Sequence, residues 1–225
     1  TLNGTFAVTG ASTQNGTFTM NSGSTLRISG VSALNGQLTV ANGFTNNGAI
    51  ELTNTSVNQS ATLNVTAGTL VNPAGRTIAA LAGAGGGSRT LGLELANAGT
   101  VTIDQAATLG RSGAQGSNSG TITLTTGDLT ISGSGVSPTF TNTGAITVPA
   151  SRTLTASNLT FHRNGGGVSG AGTWALSNVT LNLNIPHTIG PLALAPTTST
   201  INGPALLTNG PGVSTAISSV TVNAP

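Results

Sequence analysis

The amino-acid sequence predicts an all-β fold, a parallel β-solenoid whose coils are about 20–28 residues long. The main observation is one motif, Asn-x-Gly-x-apolar-x-apolar, which recurs at residues 97–103, 118–124 and 142–148. The motif glycines are Gly99, Gly120 and Gly144, so successive copies follow one another at nearly equal steps. A near-constant period of this size is typical of solenoids, propellers and other arrays.

The motif also selects the solenoid among these architectures. Its apolar residues alternate with Thr at a period of two, which is typical of a strand with one buried face. A strand this short cannot bury its apolar face alone, whereas a stack of such strands can. The inward residues should therefore form stacked columns in a core that includes Phe44, Ile50, Leu52, Val101, Ile103, Ile122, Leu124, Phe140, Ile146, Val148, Trp174 and Leu176.

The composition excludes several other classes of protein. Only 4% of the 225 residues are charged, compared with about 25% in ordinary globular domains. No apolar run approaches the roughly 18 residues that a membrane-spanning helix requires. Lys is absent, and the six Arg are scattered along the chain, so the cluster of cations that phosphate binding requires is missing. The sequence thus predicts neither a helical protein, nor a membrane span, nor nucleic acid as a partner.

The same frame extends along the chain as one β-solenoid over residues 1–225. Motif-like spacing surrounds Gly4, Gly16, Gly36, Gly48 and Gly172, and the displaced neighbours of Gly75 indicate a bulge there. A second pattern, (Ser/Ala/Arg)-Thr-Leu, at residues 24–28, 61–65, 89–93 and 152–154 is expected on another face of the coil. Residues 83–87 and 165–167 are predicted loops, and 171–225 should be less regular because Pro is frequent there.

The Asn and Gly of the motif are expected at a corner of each coil. Both residue types tolerate left-handed backbone angles. Stacked Asn side chains can also hydrogen-bond one another in a ladder along the stack.

Few residues could support catalysis. Polysaccharide cleavage requires converging carboxylates or Ca²⁺, and zinc sites require three or four ligands at recognisable spacing. The chain has only Glu51, Glu94, Asp104 and Asp128, dispersed over four coils, and His162 and His187 each stand alone with no Cys nearby. We therefore predict a protein that is not an enzyme and has no cofactor, no catalytic residue and no metal site.

Threonines provide the one binding hypothesis that the sequence supports. Outward Thr residues stacked coil upon coil would form a flat ladder of hydroxyl and methyl groups, which resembles the surface of ice-binding solenoids. The competing interpretation is that Thr is simply a favourable outward residue for an uncharged strand. The candidate ladder, for ice or polysaccharide, consists of Thr5, Thr17, Thr19, Thr100, Thr102, Thr121, Thr123, Thr147 and Thr173, and is broken by Ala49 and Glu51.

The repeated Asn-x-Gly-x-Ile-x-Val, followed by Arg/Ser-Thr-Leu, resembles a family of bacterial secreted β-solenoid surface proteins. These are the filamentous-haemagglutinin-like and autotransporter-passenger-like proteins, and the resemblance covers about residues 1–180. It implies a right-handed parallel β-helix that is secreted or located at the cell surface. There it would serve in adhesion, as a stalk or as a filament subunit, and no catalytic residue carries over.

Two interactions are also expected. Asp128 and Arg152 each lie eight residues after their motif Gly, so they should pair on adjacent coils.

Neither the first nor the last twenty residues contain Lys, Arg, Asp or Glu, so no charged cap blunts the end strands. We therefore expect flanking coils or identical subunits to stack end to end with this chain, while host or surface glycans are the candidate external partners.

Overall fold

Alternating apolar and polar residues produce short strands, and in the computed structural model these strands stack in parallel into a β-solenoid. The structure describes residues 1–213 and 215–225. This part of the chain contains no helix, and therefore no helix long and apolar enough to cross a membrane. One sheet of eight strands forms the first side of the coils: β1 (Thr5–Val8), β3 (Thr25–Gly30), β5 (Ala49–Asn54), β7 (Thr77–Ala80), β9 (Thr100–Ile103), β12 (Thr121–Leu124), β15 (Ala145–Val148) and β18 (Gly167–Gly170).

The other strands form a second sheet of fifteen strands and a separate pair. The pair consists of β21 (His187–Ile189) and β24 (Leu207–Asn209). Because these two strands continue the sequence of the first side, the described residues form about ten coils. The second sheet contains β2 (Ala11–Gln14), β4 (Gly36–Thr45), β6 (Ala61–Asn72), β8 (Arg89–Asn97), β10 (Ala107–Leu109), β11 (Gln115–Asn118), β13 (Leu129–Ser132), β14 (Thr139–Asn142), β16 (Thr153–Ser157), β17 (Thr160–Arg163), β19 (Thr173–Ser177), β20 (Thr180–Leu183), β22 (Ala193–Thr197), β23 (Thr200–Asn202) and β25 (Thr221–Asn223).

The second sheet divides into two branches after β8. The beginning of β8 pairs with β10, and its end pairs with β11. We call β10, β13, β16, β19 and β22 the first branch, and β11, β14, β17, β20, β23 and β25 the second branch. Each later coil therefore contributes one strand to the first side and one strand to each branch, except that the last coil, with β24 and β25, has no named strand in the first branch among the described residues.

The apolar core runs through the middle of the stack from Leu2 to Ile201. All twelve residues predicted for this core are buried, none with more than 7% of its surface exposed. Ile122, for example, lies between Val101 of the preceding coil and Ile146 of the next. The prediction of inward apolar columns is confirmed.

The side of the coil was predicted less accurately than the strands themselves. Residues 24–28 were expected on another face, but Leu26 pairs with Ile50 in the first sheet. Conversely, the segments after Gly36 and Gly172 lie in the second sheet, where Trp174 pairs with Leu154, and the segment after Gly16 forms no named strand. The physical reason is that inward–outward alternation is identical on every side of a coil, so the pattern cannot identify the side.

The motif Asn residues form a buried ladder along the corner after the second branch, as predicted. Each side-chain Nδ2 donates to Oδ1 of the Asn one coil further on, over 2.7–2.8 Å. The five Asn are almost fully buried, so the ladder satisfies amide groups that water cannot reach. Its members are Asn46, Asn72, Asn97, Asn118 and Asn142.

The reason for glycine in the motif differs from the expected one. Neither Asn118 nor Gly120 has a positive φ, so left-handed backbone angles are not what the corner requires. A Cβ on Gly120 would instead lie 2.1 Å from the carbonyl oxygen of Gly99 in the preceding coil. Close approach between coils, not backbone angle, therefore selects Gly. At Gly75 the structure has a longer corner in place of the expected bulge. Asn72 lies five residues before Thr77, whereas the equivalent Asn97 lies three residues before Thr100, so the corner is two residues longer.

The later coils are more regular than predicted. Leu154, Trp174 and Leu194 pair in succession at one constant step along the sequence, and the second branch keeps the same step up to Thr200. Irregularity was expected from residue 171 because of the prolines. In the second sheet the prolines do not interrupt the stack, because Pro196 lies in β22, the outermost strand, where a missing N–H breaks no ladder.

The predicted glycine-rich loop at residues 83–87 is held by a buried arginine. Arg89 occupies an inward position between Ala61 and Ala107 and is fully buried. Its Nε donates to the Leu81 carbonyl at 2.9 Å, and its Nη2 donates to the Ala82 carbonyl at 3.0 Å. The guanidinium thus fixes the loop through carbonyl oxygens rather than through a carboxylate.

Candidate functional site

The structure separates the nine predicted Thr residues. Six of them point outward from the first sheet: Thr5, Thr100, Thr102, Thr121, Thr123 and Thr147. Thr17 and Thr19 lie outside the named strands, and Thr173 lies in β19 of the second sheet. The predicted ladder is therefore not one continuous surface.

The outward face of the first sheet is also interrupted by other residues. Arg27 and Glu51 form an ion pair across two coils, with 2.7 Å between Nη2 and Oε2. Ala49, Ala79 and Ala145 occupy further outward positions, so complete Thr-x-Thr units remain only on β9 and β12. A flat hydroxyl grid, which the ice-binding alternative required, does not form there.

A longer and unbroken polar surface lies on the second branch. One outward column consists only of Thr, one residue from each of five successive coils. The column beside it contains His162 and three Asn residues. We call this surface the Thr–Asn face; it consists of Thr139, Thr160, Thr180, Thr200 and Thr221 together with His162, Asn182, Asn202 and Asn223.

Hydrogen bonds between coils orient the amides of the Thr–Asn face. Asn223 donates to Asn202 over 2.9 Å, Asn202 donates to Asn182 over 3.1 Å, and the Asn182 amide lies 3.2 Å from His162 Nδ1. An amide has two N–H donors and two acceptor lone pairs, so each Asn keeps hydrogen-bonding capacity beyond the ladder. The face therefore presents fixed, uncharged donors and acceptors.

A shallow polar groove runs beside the Thr column. Its outer wall is the corner between the branches, where Asn158 and Asn178 both have φ of 55°. The Asn178 amide donates to Asn158 Oδ1 over 2.9 Å. The groove has a volume of about 270 Å³ and reaches Thr160 and Thr180 on its inner side. An extended ligand could lie in it parallel to the stack.

Sequence reasoning missed this face although a signal was present. Thr180-Leu-Asn182, Thr200-Ile-Asn202 and Thr221-Val-Asn223 repeat one pattern at nearly equal steps. This pattern lacks the Asn-x-Gly corner that defined the frame, and it falls in the part of the chain expected to be irregular. A search for repeats without a fixed origin would have found it.

A second concave site lies where the first side of the solenoid is discontinuous. The eight-stranded sheet ends at β18, and no ladder joins β18 to β21 among the described residues. Between them is a groove of about 370 Å³ whose lining includes Arg163, Ser169, His187 and Thr188. Arg163 and His187 are buried, whereas Ser169 and Thr188 are exposed at the mouth.

Three of the four carboxylates are engaged in separate ion pairs, and the fourth, Asp104, accepts a hydrogen bond from the Thr125 hydroxyl. Glu51 pairs with Arg27, Glu94 with Arg111 and Asp128 with Arg152, so they do not form one acidic cluster. Within the described ranges, no group of three or more His, Asp or Glu could hold a metal ion.

The predicted pair of Asp128 and Arg152 is confirmed by a separation of 3.6 Å between Oδ1 and Nη1. The two residues are nevertheless offset by one position, because Thr153, not Arg152, aligns with Asp128 and donates its backbone N–H to Oδ1 over 2.9 Å.

Comparison with known proteins gives no relative. No family model, no curated protein and no solved structure matches this chain. The resemblance to bacterial surface solenoids therefore stays a prediction, and function must be inferred from the geometry of the Thr–Asn face and the groove.

Proposed function

We propose that this chain is a non-enzymatic, extracellular part of a bacterial surface protein, where it acts as a rigid spacer and as an adhesive surface. The observation that carries the proposal is the Thr–Asn face, a hydrogen-bonding surface without carboxylate, Lys or Arg that continues over five coils. Adhesion requires such a surface on a rigid support, and a stack whose coils are joined by parallel ladders supplies the support.

The chemistry of the Thr–Asn face favours neutral, hydroxyl-rich ligands, namely glycans. Hydroxyl and amide groups can donate to and accept from sugar hydroxyls, while the Thr methyl groups contact the apolar faces of sugar rings. The face contains no carboxylate, Lys or Arg, so it offers a charged polymer no counter-ion. The neighbouring groove follows the stack, which suits an extended chain.

Binding to insoluble neutral polysaccharides tests this proposal. Cellulose and chitin are the probes, and the fraction of protein retained is measured against concentration. The triple variant T160V/T180V/T200V removes three hydroxyl groups from the face and keeps the side-chain shape. We expect retention of the wild-type chain on at least one polymer and at least a tenfold loss of affinity in the variant.

The solenoid offers a matched control for this experiment. Thr90, Thr108 and Thr130 form an equivalent outward column on β8 and the first branch, without an Asn column beside it. T90V/T108V/T130V should bind as the wild type does. Absence of retention in the wild type, or equal losses in both triple variants, would contradict the proposal.

End-to-end association is the second part of the proposed role. In the described structure, β1 pairs only with β3, and β25 pairs only with β23, so each has one open edge. Open edges are templates on which another strand can pair, and flanking coils or another copy of this chain would supply one. Light scattering tests this for residues 1–225 alone. A stable monomer at high concentration would contradict the expectation.

A further inference from the structure

The groove between β18 and β21 interrupts an otherwise continuous ladder. Pro186 and Pro191 flank β21, and neither has an N–H that could extend the pairing. The second sheet continues past the same level without a gap, since β17 pairs with β20 and β19 with β22. The gap is thus confined to one side of the coil, where backbone groups that would otherwise pair between coils face the groove.

Beside this groove lies a buried cation without an anion. Arg163 occupies the position that follows Asn142 in the buried ladder and is only 7% exposed. Its Nη1 donates to the carbonyls of Ile185 and Pro186 at 3.0 and 2.7 Å, but its Nε has no partner among the described residues. No carboxylate in this part of the chain forms an ion pair with the guanidinium. A buried charge without a counter-ion is costly, so an anion entering here would relieve that cost.

His187 completes the inner wall, and Trp174 lies behind it. His187 is 4% exposed, and its ring packs at 89° against the Trp174 ring, with 5.5 Å between centroids. His187 Nε2 and Trp174 Nε1 also have no partner among the described residues. Burial, and then the charge of Arg163, lowers the pKa of His187 to about 4, so the imidazole is neutral at pH 7 and adds no second charge. Two residues that line the groove, Arg163 and His187, thus each have a buried nitrogen without a partner among the described residues.

We propose that this groove binds a sugar acid through its carboxylate, with Arg163 as the counter-ion. A planar guanidinium matches a carboxylate in geometry as well as in charge. The exposed Ser169 hydroxyl and the open backbone edges of β18 and β21 are available to the hydroxyls of the sugar ring. The Thr188 hydroxyl lies 2.9 Å from Thr208 Oγ1 and keeps hydrogen-bonding capacity beyond that contact. A volume of about 370 Å³ is at the lower end of the range for small-ligand pockets.

The site is independent of the Thr–Asn face. It opens on the first side of the solenoid, whereas the Thr–Asn face lies on the second branch, and the two share no residue. Failure of one proposal therefore leaves the other intact.

Calorimetric titration with glucuronate, acetate and glucose tests the assignment. Glucuronate should bind at least tenfold more tightly than acetate, because acetate supplies the carboxylate without the ring hydroxyls. Glucose should not bind, because it lacks the carboxylate. Equal affinities for glucuronate and acetate would refute the sugar-acid assignment, and absence of glucuronate binding would overturn the site itself.

Two sets of variants locate the binding. R163Q should abolish glucuronate binding, while R76Q, at a corner far along the chain, should leave it unchanged. Because Arg163 is buried and R163Q could unfold, the mouth variant S169A/T188V provides a second measurement. It should weaken glucuronate binding at least fivefold with an unchanged melting temperature, whereas T147V on the outward face of β15 should have no effect. Unchanged affinity in S169A/T188V would contradict the proposed location.

Discussion

At the scale of single residues, the spacing between coils determines which side chains are allowed. Gly48, Gly99, Gly120 and Gly144 lie so close to the backbone of the preceding coil that a Cβ would meet a carbonyl oxygen at 1.9–2.4 Å. The Asn two positions earlier can be accommodated because its side chain points inward and bonds the next Asn. The Asn-x-Gly motif therefore has two causes at the same corner, namely the hydrogen-bonded ladder at Asn and the close approach of the coils at Gly.

Gly120→Ala tests the close approach. The new methyl group would lie 2.1 Å from the Gly99 carbonyl oxygen, so the coils must move apart. We expect a loss of about 1–3 kcal/mol in the free energy of unfolding, measured by denaturant titration. Gly190→Ala is the control, because nothing lies within 4 Å of its added Cβ and its φ is not positive. Similar losses in both variants would show that spacing between coils is not the cause.

Asn118→Ala tests the buried ladder. The variant removes the acceptor of Asn97 and the donor to Asn142, both at 2.7 Å, and leaves buried polar groups with fewer partners. We expect it to lower the free energy of unfolding by at least about 2 kcal/mol. Asn184→Ala removes one exposed hydrogen bond, which the Asn184 side-chain amide donates to Asn164 Oδ1 over 2.6 Å. This variant should lower the free energy of unfolding by less than about 0.5 kcal/mol. The ladder would be unimportant if the two variants were equally stable.

At the scale of elements, strands and loops depend on inward positions in different ways. Most inward positions hold aliphatic or aromatic residues, and Phe140, Phe161 and Trp174 stack on successive coils with centroids 5.2–5.5 Å apart. Arg89 differs from them, since it uses an inward position to hold the loop before β8. The loop thus depends on one side chain of the strand that follows it.

Arg89→Met should release this loop. Met fills a similar volume but cannot donate to the Leu81 and Ala82 carbonyls or to Asn54 Oδ1, which Arg89 contacts at 2.9–3.0 Å. We expect amide hydrogen exchange of residues 83–88 to accelerate at least tenfold, which corresponds to about 1.4 kcal/mol. Arg76→Met should leave exchange in this loop unchanged. Protection equal to that of the wild type in Arg89→Met would refute the anchoring role.

At the scale of the whole molecule, the buried His187 makes stability depend on pH. The solenoid is a linear array in which each coil contacts its neighbours, so a local change affects the coils beside it first. The buried His187 lies near the end of the stack, between Trp174 and the groove that contains Arg163. Protonating it would place a second cation beside a buried guanidinium.

Stability should therefore fall in mild acid. The pKa of His187 is about 4 in the folded protein and 6.5 in the unfolded chain. The neutral imidazole therefore contributes its full stability to the fold above pH 6.5, and this contribution is lost as the pH falls towards 4. The slope should be at most about 1.4 kcal/mol per pH unit between pH 6.5 and 4.5, measured by denaturant titration. His187→Leu should remove this dependence, and His162→Asn should retain it. A flat wild-type profile over the same range would contradict the prediction.

The architecture and the inward residues of the strands could be predicted from the amino-acid sequence. Alternation at a period of two separates inward from outward residues locally, and the recurrence of Asn-x-Gly reveals the length of a coil. Val101, Ile122 and Ile146 were assigned correctly on that ground. The pairing of Asp128 with Arg152 also followed from spacing, although with an error of one residue.

Which residues share a surface became apparent from the three-dimensional fold and could not be predicted from local patterns. Thr173 and Thr121 have the same local pattern but lie on different sheets, because corners of variable length set the side on which a strand falls. The Thr–Asn face and the groove beside Arg163 depend on contacts between residues that are a whole coil apart in the sequence. The pairing between coils is set by the packing of the whole stack, and the local alternation that identifies a strand contains no information about it.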